Sequence, residues 1–145
     1  MGGERYALVE HSGDLAIRVH GPDEAGCHTA AVRGFAAAAG AVDPEAHRRS
    51  APVAIPGATP VERLVGLLQE AIARLDAEGE LAVDLLDPSV GADRLQARLV
   101  LVPLAAVEIA GPPPKAVTWH ATRLGPAEPS GEDGDGWEGL ATIDL

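Results

Sequence analysis

Between Thr59 and Gly79 the chain reads TPVERLVGLLQEAIARLDAEG, and this stretch restricts the fold more than any other. Thr59 is placed to cap a helix, Pro60 suits the first helical position, and Glu62 completes a capping box three residues after the cap. Val61, Leu64, Val65, Leu68, Ile72 and Leu75 then share one face until Gly79. A helix with one apolar stripe must bury it against something. The rest of the chain offers mainly period-two segments, so the cover has to be a sheet.

Those segments are YALVE, then DLAIRVHG with Leu15, Ile17 and Val19 on one side, and a short run from Val53 to Ile55 bracketed by Pro52 and Pro56. ELAVDLL, with Leu81, Val83 and Leu85, and RLQARLVLV, with Leu95, Ala97, Leu99 and Leu101, flank a DPSVGAD turn and read as a hairpin. KAVTWHATRL is predicted as a strand in which Val117 and Trp119 oppose Thr118 and His120. WEGLATIDL places Trp137, Ala141, Ile143 and Leu145 on the core face and turns Asp144 away from it. A first helix follows the Gly21-Pro22 break. Asp23 and Glu24 suit its first turn through the macrodipole, and Cys27, Ala30, Ala31, Gly34, Phe35 and Ala38 line a small-residue stripe up to Gly40.

The predicted order is strand, strand, helix, strand, helix, then four strands. That is an α+β fold, with two helices on one face of a mixed or antiparallel sheet, and residues 1–145 forming one domain. The acidic, glycine-rich GPAEPSGEDGDG and the AGPPPKA segment are its two candidate flexible loops.

Composition narrows the function. With 22 acidic against 11 basic residues the net charge is −11, which repels a phosphate backbone, so no direct nucleic-acid binding is expected. A basic or metal-bearing partner suits that charge better. One cysteine excludes an internal disulfide framework, no apolar run reaches the length of a membrane span, and the N-terminal residues lack a signal-peptide core; the expected location is the cytoplasm. Glu132, Asp133 and Asp135 hint at a calcium loop, but a third ligand would fall on Trp137 and the closing glutamate is missing, which leaves a solvated turn. Cys27 on its apolar stripe reads as a small hydrophobe rather than a nucleophile. A hydrolase built from His11, Ser12 and Asp14 would need three near neighbours in the chain to converge on one reacting atom.

EHSGDLAI holds Asp14 at the mouth of a strand. One reading makes it a turn aspartate accepting backbone N–H groups. The other joins it to Asp144 and the carboxylate of Leu145, three oxygen donors for a hard cation if the two strands are neighbours.

EHSGDLAI, KAVTWH and the final IDL, in that order and at these distances, together resemble the archease family, whose members carry an E-H-T-A-D-V-G-I type motif, a K-A-[VI]-T-[YW]-H type motif and an [FI]-D-[LIV] strand. The resemblance covers nearly the whole chain. It implies a strand-helix-strand-strand domain with an inserted related unit. It also implies an accessory protein, not an enzyme, that activates the GTP-dependent RNA ligase of tRNA splicing and RNA repair, promoting guanylylation of the ligase and multiple turnover. The divalent cation of such proteins, calcium in the first instance with magnesium or manganese as substitutes, would fall on Asp14, Asp144 and Leu145. His11, Lys115 and His120 match motif positions and would contact the partner or support the ligands. Lys115 would act as a point charge on a carboxylate or phosphate.

Pro113 departs from the family pattern, which commonly has an acidic residue two before the lysine. A histidine usual upstream is absent from VPLAAVEIAG, and Ser12, Gly13 and Ala16 are small changes. The Pro113 departure bears on ligase activation rather than on the fold. It keeps a second reading in view, an interaction or chaperone-like module of the same fold with a different partner.

Overall fold

The computed structural model describes residues 3–11, 13–127 and 136–145, without the side chains of Glu10 and His11. Strands β1 (Arg5–His11) and β2 (Asp14–Gly21) form a hairpin and lead into helix α1 (Glu24–Ala39). β3 (Gly40–Val42), β4 (Arg49–Pro56), helix α2 (Pro60–Glu78), β5 (Glu80–Val90) and β6 (Arg94–Pro103) follow. β7 (Val107–Ile109), β8 (Ala116–Val117), β9 (Arg123–Pro126) and β10 (Trp137–Asp144) complete the order.

The α+β class holds: two helices and antiparallel strand pairs throughout the described residues. The strands divide among three sheets: β1-β2-β10-β8 with β9 also on β10, the pair β3-β7, and β4-β6-β5. α1 packs on β1, β2 and β5, and so joins the largest sheet to the three-stranded one; α2 lies on β4 and β5 and touches α1.

Helix α2 is built as its sequence demands. Thr59 Oγ1 accepts the Glu62 N–H at 3.2 Å, the Ala58 N–H donates to Glu62 Oε1 at 3.1 Å, and Gly79 closes the helix in the left-handed region, φ 64°. Leu64, Val65, Leu67, Leu68 and Ala71 are fully buried, and Val61 and Leu75 pack at the margin of the core. In β10, Ala141 and Ile143 are buried and Asp144 is exposed, in agreement with the alternation.

Three local expectations are corrected. β5 runs on to Val90, so the turn falls at residues 91–93 and not at the Asp87-Pro88 step. Two register shifts, between Ala82 and Asp84 and between Leu86 and Ser89, absorb that step, and Asp87 adopts φ 51°. The first shift leaves Val83 without a partner residue on β6, so Leu81, Ala82 and Leu85 supply the buried positions in its place. β4 extends from Arg49 to Pro56 although it contains two prolines. It is an edge strand, where a missing N–H breaks no ladder bond. Finally, KAVTWHATRL is not one strand: it breaks after Val117 into a 3-10 turn over Trp119–Ala121 before β9 begins. Thr122 Oγ1 donates to the Thr118 carbonyl at 2.8 Å and Thr142 Oγ1 to the Ala121 carbonyl at 2.9 Å, which fixes the turn against β10. Trp119 is consequently 52% exposed instead of sharing a strand face with Val117.

Candidate metal centre

The β1–β2 hairpin sets His11 opposite Asp14. Ser12 lies outside the described residues, while Gly13 has φ 82°, a conformation glycine reaches without a Cβ penalty. Asp14 therefore opens β2 at the lip of the largest sheet, and Leu15 beside it is 4% exposed.

β10 runs antiparallel to β2 in a register that sets Asp144 directly opposite Asp14. The Leu145 N–H donates to the Gly13 carbonyl at 3.1 Å. That bond belongs to the adjacent pair, so Asp14 and Asp144 occupy a non-hydrogen-bonded position, where side chains approach most closely, at Cα separations of about 4.5 Å. Directly opposed residues share a face, so both carboxylates project to the same side of the sheet. On the far side of β10, the Lys115 N–H donates to the Asp144 carbonyl at 2.8 Å. Leu145 turns its side chain to the core, where it lines a cavity of about 30 Å³ with Leu15, Phe35 and Pro114.

The structure thus brings together four of the six residues singled out by sequence: Asp14, Asp144, Leu145 and the backbone of Lys115. The His11 backbone stands in the same row, opposite Asp14, and its side chain lies outside the described residues. His120 is exposed in the 3-10 turn, four residues along the chain from Ala116, which pairs with Asp144. Glu132, Asp133 and Asp135 lie outside the described residues.

Two like charges directly opposed on adjacent strands destabilise a sheet, and a hard cation offsets that repulsion. Among the described residues no group of three or more Asp, Glu, His or Cys side chains gathers as a metal cage. Two carboxylates fit a calcium or magnesium ion that completes its shell with main-chain oxygens and water; they do not fit a soft-ligand metal.

A second polar constellation escaped the sequence reading. Glu24, 7% exposed, accepts hydrogen bonds from Arg63 Nε at 2.8 Å and Nη2 at 2.9 Å, and contacts His28 Nε2 at 2.8 Å. Arg63 Nη1 donates to the Gly57 carbonyl at 2.9 Å. Burial alone would raise the Glu24 carboxyl, but the hydrogen bonds and charges of Arg63 and His28 outweigh it and hold the group at about 2. The triad ties the first turn of α1 to the first turn of α2. Its one sequence signal was the spacing of Glu24 and His28, one helical turn apart. Cys27, fully buried beside it, has its thiol pushed up to about 12 by burial and by neighbouring carboxylates, and is inert as a nucleophile.

The profile of the Archease protein family (MTH1598/TM1083) matches residues 6–145, and the chain belongs to that family. The solution structure of protein 1598 of Methanobacterium thermoautotrophicum superposes on it with a TM-score of 0.62 at 18% identity, each chain covered over 100% of its length, and so shares its fold. No functionally curated protein matches the chain significantly. No helix among the described residues is long and apolar enough to cross a membrane.

Proposed function

We propose that this chain is a cytoplasmic accessory protein that activates a GTP-dependent RNA ligase of tRNA splicing and RNA repair, by promoting ligase guanylylation and multiple turnover. The observation that carries the proposal is the cross-strand pairing of Asp14 with Asp144 in a chain of the Archease family. In this reading the two carboxylates and a main-chain oxygen of Leu145 hold a divalent cation, calcium by preference, with magnesium or manganese acceptable. Lys115 and His11 flank the ion, and His120 faces the partner. The chain makes and breaks no covalent bond. It presents a cation at the lip of its largest sheet to a site that belongs to the ligase.

The test is to add the protein to its cognate ligase and count RNA joining events per ligase molecule. More than one turnover per ligase, together with faster incorporation of labelled guanylate, is the expected result, and unchanged turnover removes the activator role while leaving the fold intact. A second reading, an interaction or chaperone-like module with another partner, draws on Pro113, which is exposed and lines an apolar groove with Ile109 and Leu104. Recovery of the ligase from native extract on the immobilised chain decides between the two.

A further inference from the structure

Several arginines of this acidic chain are matched to carboxylates. Arg33, Arg49, Arg63, Arg74 and Arg94 each stand within ion-pair distance of one. Arg18 and Arg123, like Arg48 and Arg98, are exposed and have no such partner among the described residues.

Register places the two together. Arg18 on β2 and Arg123 on β9 are both opposite Leu140 of β10, so the three residues form one row across the sheet and share a face. The guanidinium-bearing strands are separated by two inter-strand spacings, about 10 Å. Both arginines line one cleft of about 360 Å³, with Arg5 and His20 at its next row and Glu138 on its rim beyond ion-pair distance of either. Asp14 and Asp144 lie on the same face, but four residues along the strands, about 13 Å away, beyond the Debye length at physiological salt. Neither aspartate neutralises the row.

Two uncompensated cations facing each other across one leucine, in a protein carrying net charge −11, form a local reversal of the surface field. Guanidinium forks match phosphate oxygens bidentately. A long polyanion such as RNA would meet repulsion from the rest of the surface, whereas a compact, multiply charged anion meets only the cleft. We propose that the Arg18–Leu140–Arg123 row is a binding site for a short polyphosphate, of the kind carried by a nucleoside triphosphate. The site stands apart from the aspartate pair and does not depend on the ligase reading.

The test is calorimetric titration of the full chain with inorganic triphosphate, with a single-stranded RNA oligonucleotide and a hexaglutamate peptide as competing probes. The expected result is saturable triphosphate binding that weakens with salt and falls roughly tenfold or more in the R18Q/R123Q double variant. Arg98→Gln, an exposed change on the three-stranded sheet, should leave it unaltered. Arg18 and Arg123 are both exposed, so the double variant should keep the unfolding midpoint of the parent, which a thermal melt verifies. Absence of saturable triphosphate binding, equal affinity in the double variant, or tighter binding of RNA or hexaglutamate overturns the proposal.

Discussion

Replacing Arg63 by Met should lower the unfolding free energy by about 3–5 kcal/mol, although it exchanges a buried charge for a hydrophobe of similar length. The loss comes from what stays behind. Glu24 remains 7% exposed with both carboxylate oxygens deprived of the guanidinium, and the Gly57 carbonyl loses its donor. Only His28 still faces the carboxylate. Adding Glu24→Met to Arg63→Met should therefore recover most of the loss, because an apolar pair of similar volume carries no stranded charge. Urea unfolding of the two singles and the double closes the cycle; additive losses would show that the ion pair contributes no coupling.

The same triad sets the acid limit. Glu24 is depressed from its ordinary value of 4.5 to about 2, so the folded state holds its proton more weakly than the unfolded chain does. Its contribution to stability is complete above about pH 4.5 and disappears as pH falls toward about 2. In Arg63→Met, burial acts without the guanidinium to oppose it and the carboxyl climbs toward or past its unfolded value, so the stability that this group loses on acidification shrinks relative to the parent. Unfolding midpoints followed from neutral pH downward read the difference directly.

The second large effect concerns the aspartate pair. If Asp14 and Asp144 hold calcium, the ion at a hundredfold its dissociation constant should raise the unfolding free energy by about 2.7 kcal/mol, through binding to the folded state alone. Asp14→Asn or Asp144→Asn should each abolish that gain. Without the ion the sign reverses: either variant should be more stable than the parent by about 0.2–1 kcal/mol, because it removes one of two like charges set directly opposite each other. A calcium-dependent shift that persists in both variants would place the cation elsewhere. This reversal separates a ligand role from a merely structural one, since a structural aspartate would not become dispensable when the ion is withdrawn.

Sequence reasoning succeeded where a residue's role is set by its immediate neighbours. Thr59, Pro60, Glu62 and Gly79 define α2 by local hydrogen bonds and backbone preference, and the alternation of β10 follows from a pleat with one buried face. The Asp14–Asp144 juxtaposition was legible only as a condition on two strands being neighbours, which the β2–β10 register fulfils. It failed where partners are distant or geometry is irregular. Glu24 read as a helix-dipole residue because its dominant partner, Arg63, lies 39 positions away and looks by itself like a surface charge in the first turn of α2. Trp119 read as sharing a face with Val117 because strict alternation was carried through Val117, where the backbone turns instead and the Thr122 and Thr142 hydroxyls, bonded to the Thr118 and Ala121 carbonyls, take over. Arg18 and Arg123 carried no signal at all, since their adjacency depends on the order in which β2, β10 and β9 pair.

That strand order also governs how the molecule assembles. The strand pairing of β4, β5 and β6 is made within a contiguous middle stretch that also contains α2, while β10 must find β2 from the opposite end of the fold. Contacts so remote in sequence are the slow ones to close, so the central unit can be built before the five-stranded sheet exists. A chain arrested at that stage carries Asp14 and Asp144 as two unrelated side chains with no shared affinity for an ion. If the aspartate pair binds an ion, its occupancy amounts to a signature of completed folding.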